Sequence, residues 1–513
     1  MSLRFFLHAL CLAASVSFAN AAVSLPGEQT IASLPTDSEG PIKEALEAFQ
    51  NGSHFKAVGL AKPLADKGNP EAQYLLGFAH ETGQGAEVSK DKALEYYRKA
   101  AASKHRDAIY RLSFILLASD KESEREQARA QLEEAAKSDP AVAARILGEA
   151  YLRGRLTPTP DPDKAIFWWK RAADAGDNLS MSLIGRFYEG QFGFPELRDV
   201  KTSLEYYSKA ASLGNSAAMV VIGSRYLNGD EKFRDEAKGR EWLKKAIDAK
   251  DYTAYLALGD YEENIKKNLK EALVQYERGK DAGQIDCMLR SADFYIEGKG
   301  VSKDSERGNG ILKKAAEMGS PVANFRLAAN ILSDKKPDLL TGYKHLLASA
   351  NGNLPEAQSE LGLLYLSGKL GEADPSAGIS WLTRAAQNGL AQAQYNLAVL
   401  YERGAGGLPR NLENAGQLYT VAANQGHGAA TLALARLYNE GLGVKADPAK
   451  AWAIATLAAE RGEKEASKFA SDIAKDFDAK QFEEANKELM NIKSDKPAPA
   501  KAAEPKATSA PKK

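Results

Sequence analysis

The chain repeats itself with a period near 36 residues. A small residue is followed five positions on by Gly or Ala, eight on by Tyr and eleven on by Gly. Ala143, Gly148, Tyr151 and Gly154 show the pattern, and so do Ala218, Gly223, Tyr226 and Gly229. It returns at Ala357, Gly362, Tyr365 and Gly368, and at Ala430, Ala435, Tyr438 and Gly441. The small residues fall at Ala72, Ala108, Ala143, Ser180, Ala218, Ala254, Cys287, Ala323, Ala357, Ala393, Ala430 and Ala466, in steps of 33 to 38 residues. A unit of that size cannot bury a hydrophobic face alone, so such chains fold by stacking units into an extended surface. The usual expectation of roughly 150 residues per domain is set aside by the repetition.

Each period divides into two helices. The first opens after an entry such as Gly68-Asn69-Pro70-Glu71-Ala72 or Gly214-Asn215-Ser216-Ala217-Ala218, where Asn caps and Pro is tolerated in the first turn. Apolar residues then recur at helical spacing, as in Ala72, Leu75, Leu76 and Ala79. Glycine closes it at Gly83, Gly154, Gly229, Gly368 and Gly404, where a left-handed C-cap is expected. The second helix follows a polar loop and ends at Gly176, Gly214, Gly319, Gly389, Gly426 or Gly462. Helices of roughly 11–14 residues, about 16–21 Å long, are marginal alone and draw stability from their neighbours. Small residues at Gly77, Gly148, Gly185, Gly223, Gly259, Gly362, Ala398 and Ala435 are expected to let adjacent helices close in.

These two blocks, Ala-x4-Gly/Ala-x2-Tyr-x2-Gly and Ala-x2-aromatic-x3-Ala-Ala-x2-Gly, resemble the Sel-one-like repeats, relatives of the tetratricopeptide repeat. The resemblance covers residues 68–465. It implies an all-α, right-handed α/α superhelix (solenoid) of about twelve to thirteen helix-turn-helix repeats. Residues 108–139 depart from the pattern: the loop glycines are missing and a charged run, 121–129, replaces them. Residues 255–270 and 331–337 also lack the expected loop. Upstream, residues 41–67 read as one more helix pair; downstream, 466–492 read as polar capping helices, which an open-ended array requires.

The termini read differently. Arg4, the apolar run 5–18 and Ala19-Asn20-Ala21 form an export signal cleaved after Ala21. The run falls short of the roughly 20 residues that span a bilayer, and no later segment is apolar enough. Residues 22–40 are a flexible leader, and 493–513 a Pro/Ala/Lys-rich tail that cannot bury a core. One positive charge in residues 1–21 and a net +4 from residue 493 onward leave the body at −5. That is a poor footprint for nucleic acid. Cleavage removes Cys11 and leaves Cys287 alone, so no intramolecular disulfide forms; Cys287 fills the slot of a small buried residue.

Catalytic and metal signatures are missing. None of His8, His54, His80, His105, His345 and His427 sits in a His-Glu-x-x-His arrangement, and no phosphate-binding glycine loop follows a strand. No metal, cofactor or catalytic residue is therefore expected. Ser53-His54-Phe55-Lys56 satisfies Ser-x-x-Lys, the nucleophile signature of penicillin-recognising enzymes, but Ser-Asp-Asn and Lys-Thr-Gly are absent and Ser53 reads as an N-cap. The resemblance includes secreted relatives linked to β-lactam binding; those depend on paired cysteines that this chain lacks.

The aromatics of the second helices, Tyr96-Tyr97, Trp168-Trp169, Tyr206-Tyr207, Trp242, Trp381, Tyr419 and Trp452, share one repeat phase and read first as packing. Adjacent helical residues point about 100° apart, so one of each pair is expected to reach solvent, with Tyr97, Trp169 and Tyr207 as binding-surface candidates. The leading reading is a non-enzymatic exported scaffold, periplasmic or secreted, holding a protein partner in a concave groove. The resemblance implies the same, through relatives that act as adaptors in envelope complexes, signalling and host interaction. A glycan or peptidoglycan binder, using the spare aromatics and the Lys-rich tail against a cell-wall or acidic envelope polymer, is the second reading. A β-lactam or wall-peptide hydrolase is the third.

Overall fold

A computed structural model describes residues 40–229, 231–369 and 371–494. The expected signal, residues 1–21, nearly all of the leader and most of the tail lie outside the described residues. Among those described there are 26 α-helices, two short 3-10 turns (Pro195–Leu197 and Glu231–Phe233) and no strand. The fold is thus an all-α tandem array of helix hairpins, divided into two compact units at residues 267/268.

The N-terminal unit opens with α1 (Pro41–Gln50) and α2 (His54–Asp66). The hairpins α3 (Pro70–Thr82) with α4 (Lys90–Ala102), α5 (Arg106–Leu117) with α6 (Glu122–Ser138), and α7 (Pro140–Leu152) with α8 (Pro162–Asp174) follow. The unit ends with α9 (Asn178–Tyr188) and α10 (Val200–Ser212), α11 (Ser216–Asn228) and α12 (Glu236–Asp248), and α13 (Ala254–Asn264). The charged run at 121–129 is helical from Glu122 on, with Lys121 at the N-cap: it lengthens α6 to 17 residues, where most helices run 13.

The C-terminal unit begins with α14 (Leu269–Asp281) and continues through α15 (Ile285–Glu297) and α16 (Ser305–Glu317), then α17 (Pro321–Leu332) and α18 (Leu339–Asn351). Next come α19 (Pro355–Ser367) with α20 (Pro375–Gln387), α21 (Ala391–Arg403) with α22 (Leu412–Asn424), and α23 (Gly428–Glu440) with α24 (Pro448–Glu460). Last, α25 (Ala466–Ala474) and α26 (Ala479–Ser494) pack on α24.

Capping chemistry sets the ends. Asn69 and Asn215 accept from the Ala72 and Ala218 amides at 2.9 and 3.0 Å, the geometry of a side-chain N-cap. His105 and His427 occupy the same slot, their Nδ1 atoms accepting from Ala108 and Ala430 at 3.1 Å. Each imidazole stacks on the tyrosine of its own entry turn's neighbour helix, His105 on Tyr74 and His427 on Tyr395, both at 4.9 Å between centroids. Gly83, Gly368 and Gly404 close their helices in the left-handed region, at φ 77°, 66° and 65°. Gly229 does not. Its backbone is extended (φ −71°, ψ −173°), and glycine is needed because a Cβ would lie 2.4 Å from the Arg225 carbonyl oxygen.

Two devices tie one repeat to the next. The second glycines of the Gly-x-Gly loops, Gly85, Gly300 and Gly443, lie against the first residue of the preceding second helix. A Cβ there would come within 2.4 Å of His54 O, 2.8 Å of Leu269 C and 2.5 Å of Leu412 C. Buried glutamines supply the other. Gln358 Nε2 donates to Ala350 O and Gln394 Nε2 to Ala386 O, both at 3.1 Å, satisfying carbonyls at the ends of α18 and α20. Their own oxygens accept at 2.8 Å from Asn388 and Gln425, one repeat further on.

Candidate functional site

The second helices α4, α8 and α10 each carry two adjacent aromatics, and the structure reverses the expected assignment. Tyr97, Trp169 and Tyr207 are the buried members, at 0%, 0% and 2% exposure, so they are not surface residues. The physical reason is phase. Tyr97 stands four residues after Ala93 and three before Ala100, both fully buried, and is carried to the same inward face. Trp169 stands likewise between Ala165 and Ala172, and Tyr207 between Ser203 and Ala210.

Each buried ring lies on a glycine of the first helix. A Cβ at Gly77 would lie 2.7 Å from the Tyr97 ring, one at Gly148 2.4 Å from Trp169 Cδ1, and one at Gly185 2.9 Å from Tyr207. At Gly223 and Gly362 the facing groups are Leu243, at 2.7 Å, and the Gly378 carbonyl and Leu382, at 2.8 Å. Gly259 is buried within α13, and Ala398 and Ala435 are fully buried, Ala398 in the same cluster as Tyr419. Two phenol hydroxyls reach a carboxylate on the facing first helix: Tyr97, past Gly77, donates to Glu81 at 2.6 Å, and Tyr419, beside Ala398, to Glu402 at 2.5 Å. Glu81 is also gripped by Arg111 from the next repeat, at 2.7 Å, as Glu189 is by Arg225 at 2.6 Å.

The other member of each pair faces outward. Tyr96, Trp168 and Tyr206 are half-buried, and each has a cation three residues on lying over its ring. The distances to the centroid are 5.4 Å for Lys99, 5.2 Å for Arg171 and 4.7 Å for Lys209. Lys245 over Trp242 at 4.4 Å, and in the C-terminal unit Arg384 over Trp381 at 4.8 Å, repeat the arrangement. Three successive second helices, α8, α10 and α12, therefore present the same aromatic–cation pair at the same turn. Cation–π contacts of this kind contribute about 0.5–1 kcal/mol at exposed sites and hold the long side chain in place.

A cleft of about 200 Å³ opens between α7, α8, α9 and the loop after α9, lined by Glu149, Leu152, Arg153, Trp169, Leu183 and Phe192. Glu149 is only 5% exposed. Burial pushes its carboxyl up to about 7, with Arg145 and Arg153 opposing the shift and Asp177 adding to it.

The Ser-x-x-Lys match is dispersed. Ser53 holds the N-cap position of α2 but its hydroxyl makes no capping bond, and Lys56 is paired with Glu44 at 3.0 Å. Cys287 is fully buried at its repeat position. No group of three or more His, Cys, Asp or Glu placed to hold a metal ion occurs among the described residues. Among those residues no helix is long and apolar enough to cross a membrane.

Comparison with known proteins accords with the repeat geometry. Residues 70–105, 141–177, 179–215, 216–251, 285–320, 355–390, 391–427 and 428–463 match the family model of the Sel1 repeat, more than half of the chain in all. The chitin synthase regulator SKT5 of Saccharomyces cerevisiae is 27% identical over 271 residues, 48% of this chain and 38% of that protein. The alginate biosynthesis protein AlgK of Pseudomonas syringae pv. tomato is 24% identical over 420 residues, 80% of each chain. The chain spans about a third of the length of the first curated relatives it matches. The crystal structure of a protective antigen of uropathogenic Escherichia coli, with an SLR fold, is 22% identical, covers 88% of this chain and 99% of its own, and gives a TM-score of 0.35.

Proposed function

The chain belongs to the Sel1 repeat family, and from that membership we propose that it is an exported, non-enzymatic scaffold that docks a polypeptide partner during assembly of a cell-envelope complex. Sel1 repeat proteins are typically protein-interaction scaffolds. The observation that carries the reading here is the outward row Trp168, Tyr206 and Trp242, each ring held under Arg171, Lys209 or Lys245. Half-exposed aromatics next to arginine or lysine are the residues that anchor protein interfaces, and the cations call for carboxylates on the partner. The relation to the alginate biosynthesis protein AlgK, over four-fifths of both chains, favours an envelope setting. The apolar run before Ala21 favours export.

A sugar platform needs an open ring face, and in these rungs a cation occupies one. The glycan reading is therefore the weaker one. Two affinity captures run side by side separate them. The full chain immobilised and cross-linked should retain polypeptide, with yield falling when Trp168, Tyr206 and Trp242 are changed together to Ala. Retention of the chain on peptidoglycan or acidic polysaccharide alone, unaffected by that triple change, overturns the proposal.

A further inference from the structure

In three hairpins the first and second helices are joined by a seven-residue loop that opens Gly-x-Gly, at 83–89, 298–304 and 441–447. The loop at 229–235 has the same length. The third residue of each of the three, Gly85, Gly300 or Gly443, docks on the residue 31 positions back in the chain, His54, Leu269 or Leu412. The same step back from Glu231 reaches Val200, the first residue of α10. Docking needs a bare Cα, since a Cβ would come within 2.4–2.8 Å of the backbone beneath, and Glu231 carries one. The chain also leaves α11 in another direction. Gly229 is extended at φ −71°, where Gly83, Gly298 and Gly441 are left-handed at 77°, 78° and 70°. The seat over the start of α10 is left as a cleft of about 430 Å³.

The side chains around that cleft decide what fits it. Arg225 and Glu189 both line it and pair with each other at 2.6 Å. Arg198, Arg234 and Glu231 add two further cations and one further anion to its walls. Arg198 and Arg234 are exposed residues, so the cleft presents charge to solvent and not to a sealed interior. Arg234 is also pinned, its Nε donating to Gly229 O at 2.9 Å. A guanidinium held in that way offers its remaining N–H groups as a planar fork, the match for a carboxylate. Part of the ordering cost of binding is thereby met in advance. Val200, Leu204 and Phe233 supply apolar wall. The volume falls within the range of about 300–1,000 Å³ usual for ligand sites and admits a side chain together with its backbone.

We infer that this cleft takes the carboxylate of an Asp or Glu side chain on the polypeptide partner. Arg198 and Arg234 donate to the carboxylate, and the methylene stem lies against Leu204 and Phe233. Ser203, in the cleft wall, stands three residues before Tyr206, so the cleft lies within one helical turn of the outward aromatic row. The assignment of the carboxylate to a partner rests on the scaffold reading above; recognition of a carboxylate is a property of the cleft itself.

The capped residues N-acetyl-glutamate amide, N-acetyl-glutamine amide and N-acetyl-lysine amide share one backbone and differ in side-chain charge, and they make the test. The full chain carrying 4-fluorophenylalanine reports through the fluorine signal of Phe233, which Phe233→Leu identifies. The glutamate probe should shift that signal saturably, and the glutamine and lysine probes should act at least about tenfold more weakly. Arg198→Gln and Arg234→Gln, both at exposed positions, should each weaken the glutamate probe by about tenfold. Arg98→Gln removes the same charge from the exposed face of α4 and should change nothing. Glu231→Gly combined with Lys232→Val leaves the net charge as it is, restores the Gly-x-Gly-Val loop found at Gly300 and Gly443, and should abolish the response by filling the cleft. The assignment is overturned by no saturable shift with the glutamate probe, or by an equal response to the glutamine or lysine probe. An undiminished response in both cleft arginine variants, an equal loss in Arg98→Gln, or an undiminished response in the loop variant overturns it too. Because no partner is present, a positive titration beside a failed protein capture would count against the scaffold reading alone.

Discussion

Replacing Gly148 by Ala probes the contact between a first-helix glycine and a buried ring. The added Cβ would lie 2.4 Å from Trp169 Cδ1, 2.5 Å from Nε1 and 2.9 Å from Cγ, about 1 Å inside ordinary contact. Trp169 is fully buried, so the ring cannot swing into solvent to make room. Forcing one carbon into a packed core costs about 1–3 kcal/mol, while Gly to Ala inside a helix returns about 1 kcal/mol. Gly310 supplies the control: it is exposed within α16 and has nothing within 4 Å of its Cβ position, so Gly310→Ala should show only the gain. Gly310→Ala should gain about 1 kcal/mol and Gly148→Ala should lose up to about 2, so the two variants should differ by about 1–3 kcal/mol. Arrays of repeats need not unfold in one step, so the reading should be local as well as global. Urea denaturation followed by circular dichroism gives the sum. Hydrogen exchange over peptides 140–174 gives the part that belongs to α7 and α8. If Gly148→Ala protects those peptides as well as the wild type does, or matches Gly310→Ala in urea, the ring–glycine contact is not what holds the hairpin.

Gly443→Ala should cost more than Gly426→Ala. Both need a left-handed residue, at φ +71° and +88°, but only the first would put a Cβ 2.5 Å from the Leu412 backbone; thermal melts with equal losses would refute loop docking. Burial holds the His427 imidazole below its ordinary pKa, and Nδ1 must stay unprotonated to cap α23. With the folded value depressed, this contribution is present above the unfolded pKa near 6.5 and is lost as pH falls below it. His427→Asn, which keeps a cap, should flatten the stability slope between about pH 7 and pH 5; a variant slope equal to wild type contradicts this. Glu149 goes the other way: an acid raised from 4.5 to about 7 stabilises fully below the lower value and loses that as pH rises through the upper. Glu149→Gln should therefore gain on the wild type from pH 5 to pH 8, by an amount of order 2 kcal/mol, read from melting temperatures across that range.

The repeat period, the helix pairs and the small residues between helices were legible because each is a pattern that recurs every 33 to 38 residues. The caps at Asn69 and Asn215 were legible for the same reason. The misassignment of Tyr97, Trp169 and Tyr207 was avoidable. Adjacent aromatics alone are ambiguous, but the alanines at 93 and 100, or 165 and 172, already mark which neighbour shares the buried face. Other features had no such signal. Glu149 sits at a repeat position that holds Phe78, Phe114, Arg186 and Asp260 elsewhere, so neither its burial nor its cleft follows any period. The docking of Gly443 on Leu412 joins residues 31 apart through backbone, and no side-chain pattern records it. Gly229 reads as one more left-handed cap in sequence and is extended in structure, since close approach to a carbonyl selects glycine as strongly as a positive φ does.

Site-specific photocross-linking tests the scaffold claim most directly. A benzophenone side chain placed singly at Trp168, Tyr206 or Trp242 should trap the same polypeptide from all three positions. The same probe at Phe55 or Met490, which are exposed but off that row, should not trap it. Adducts from Phe55 or Met490 equal to those from the row, or none from the row while the chain retains its partner, would contradict the account.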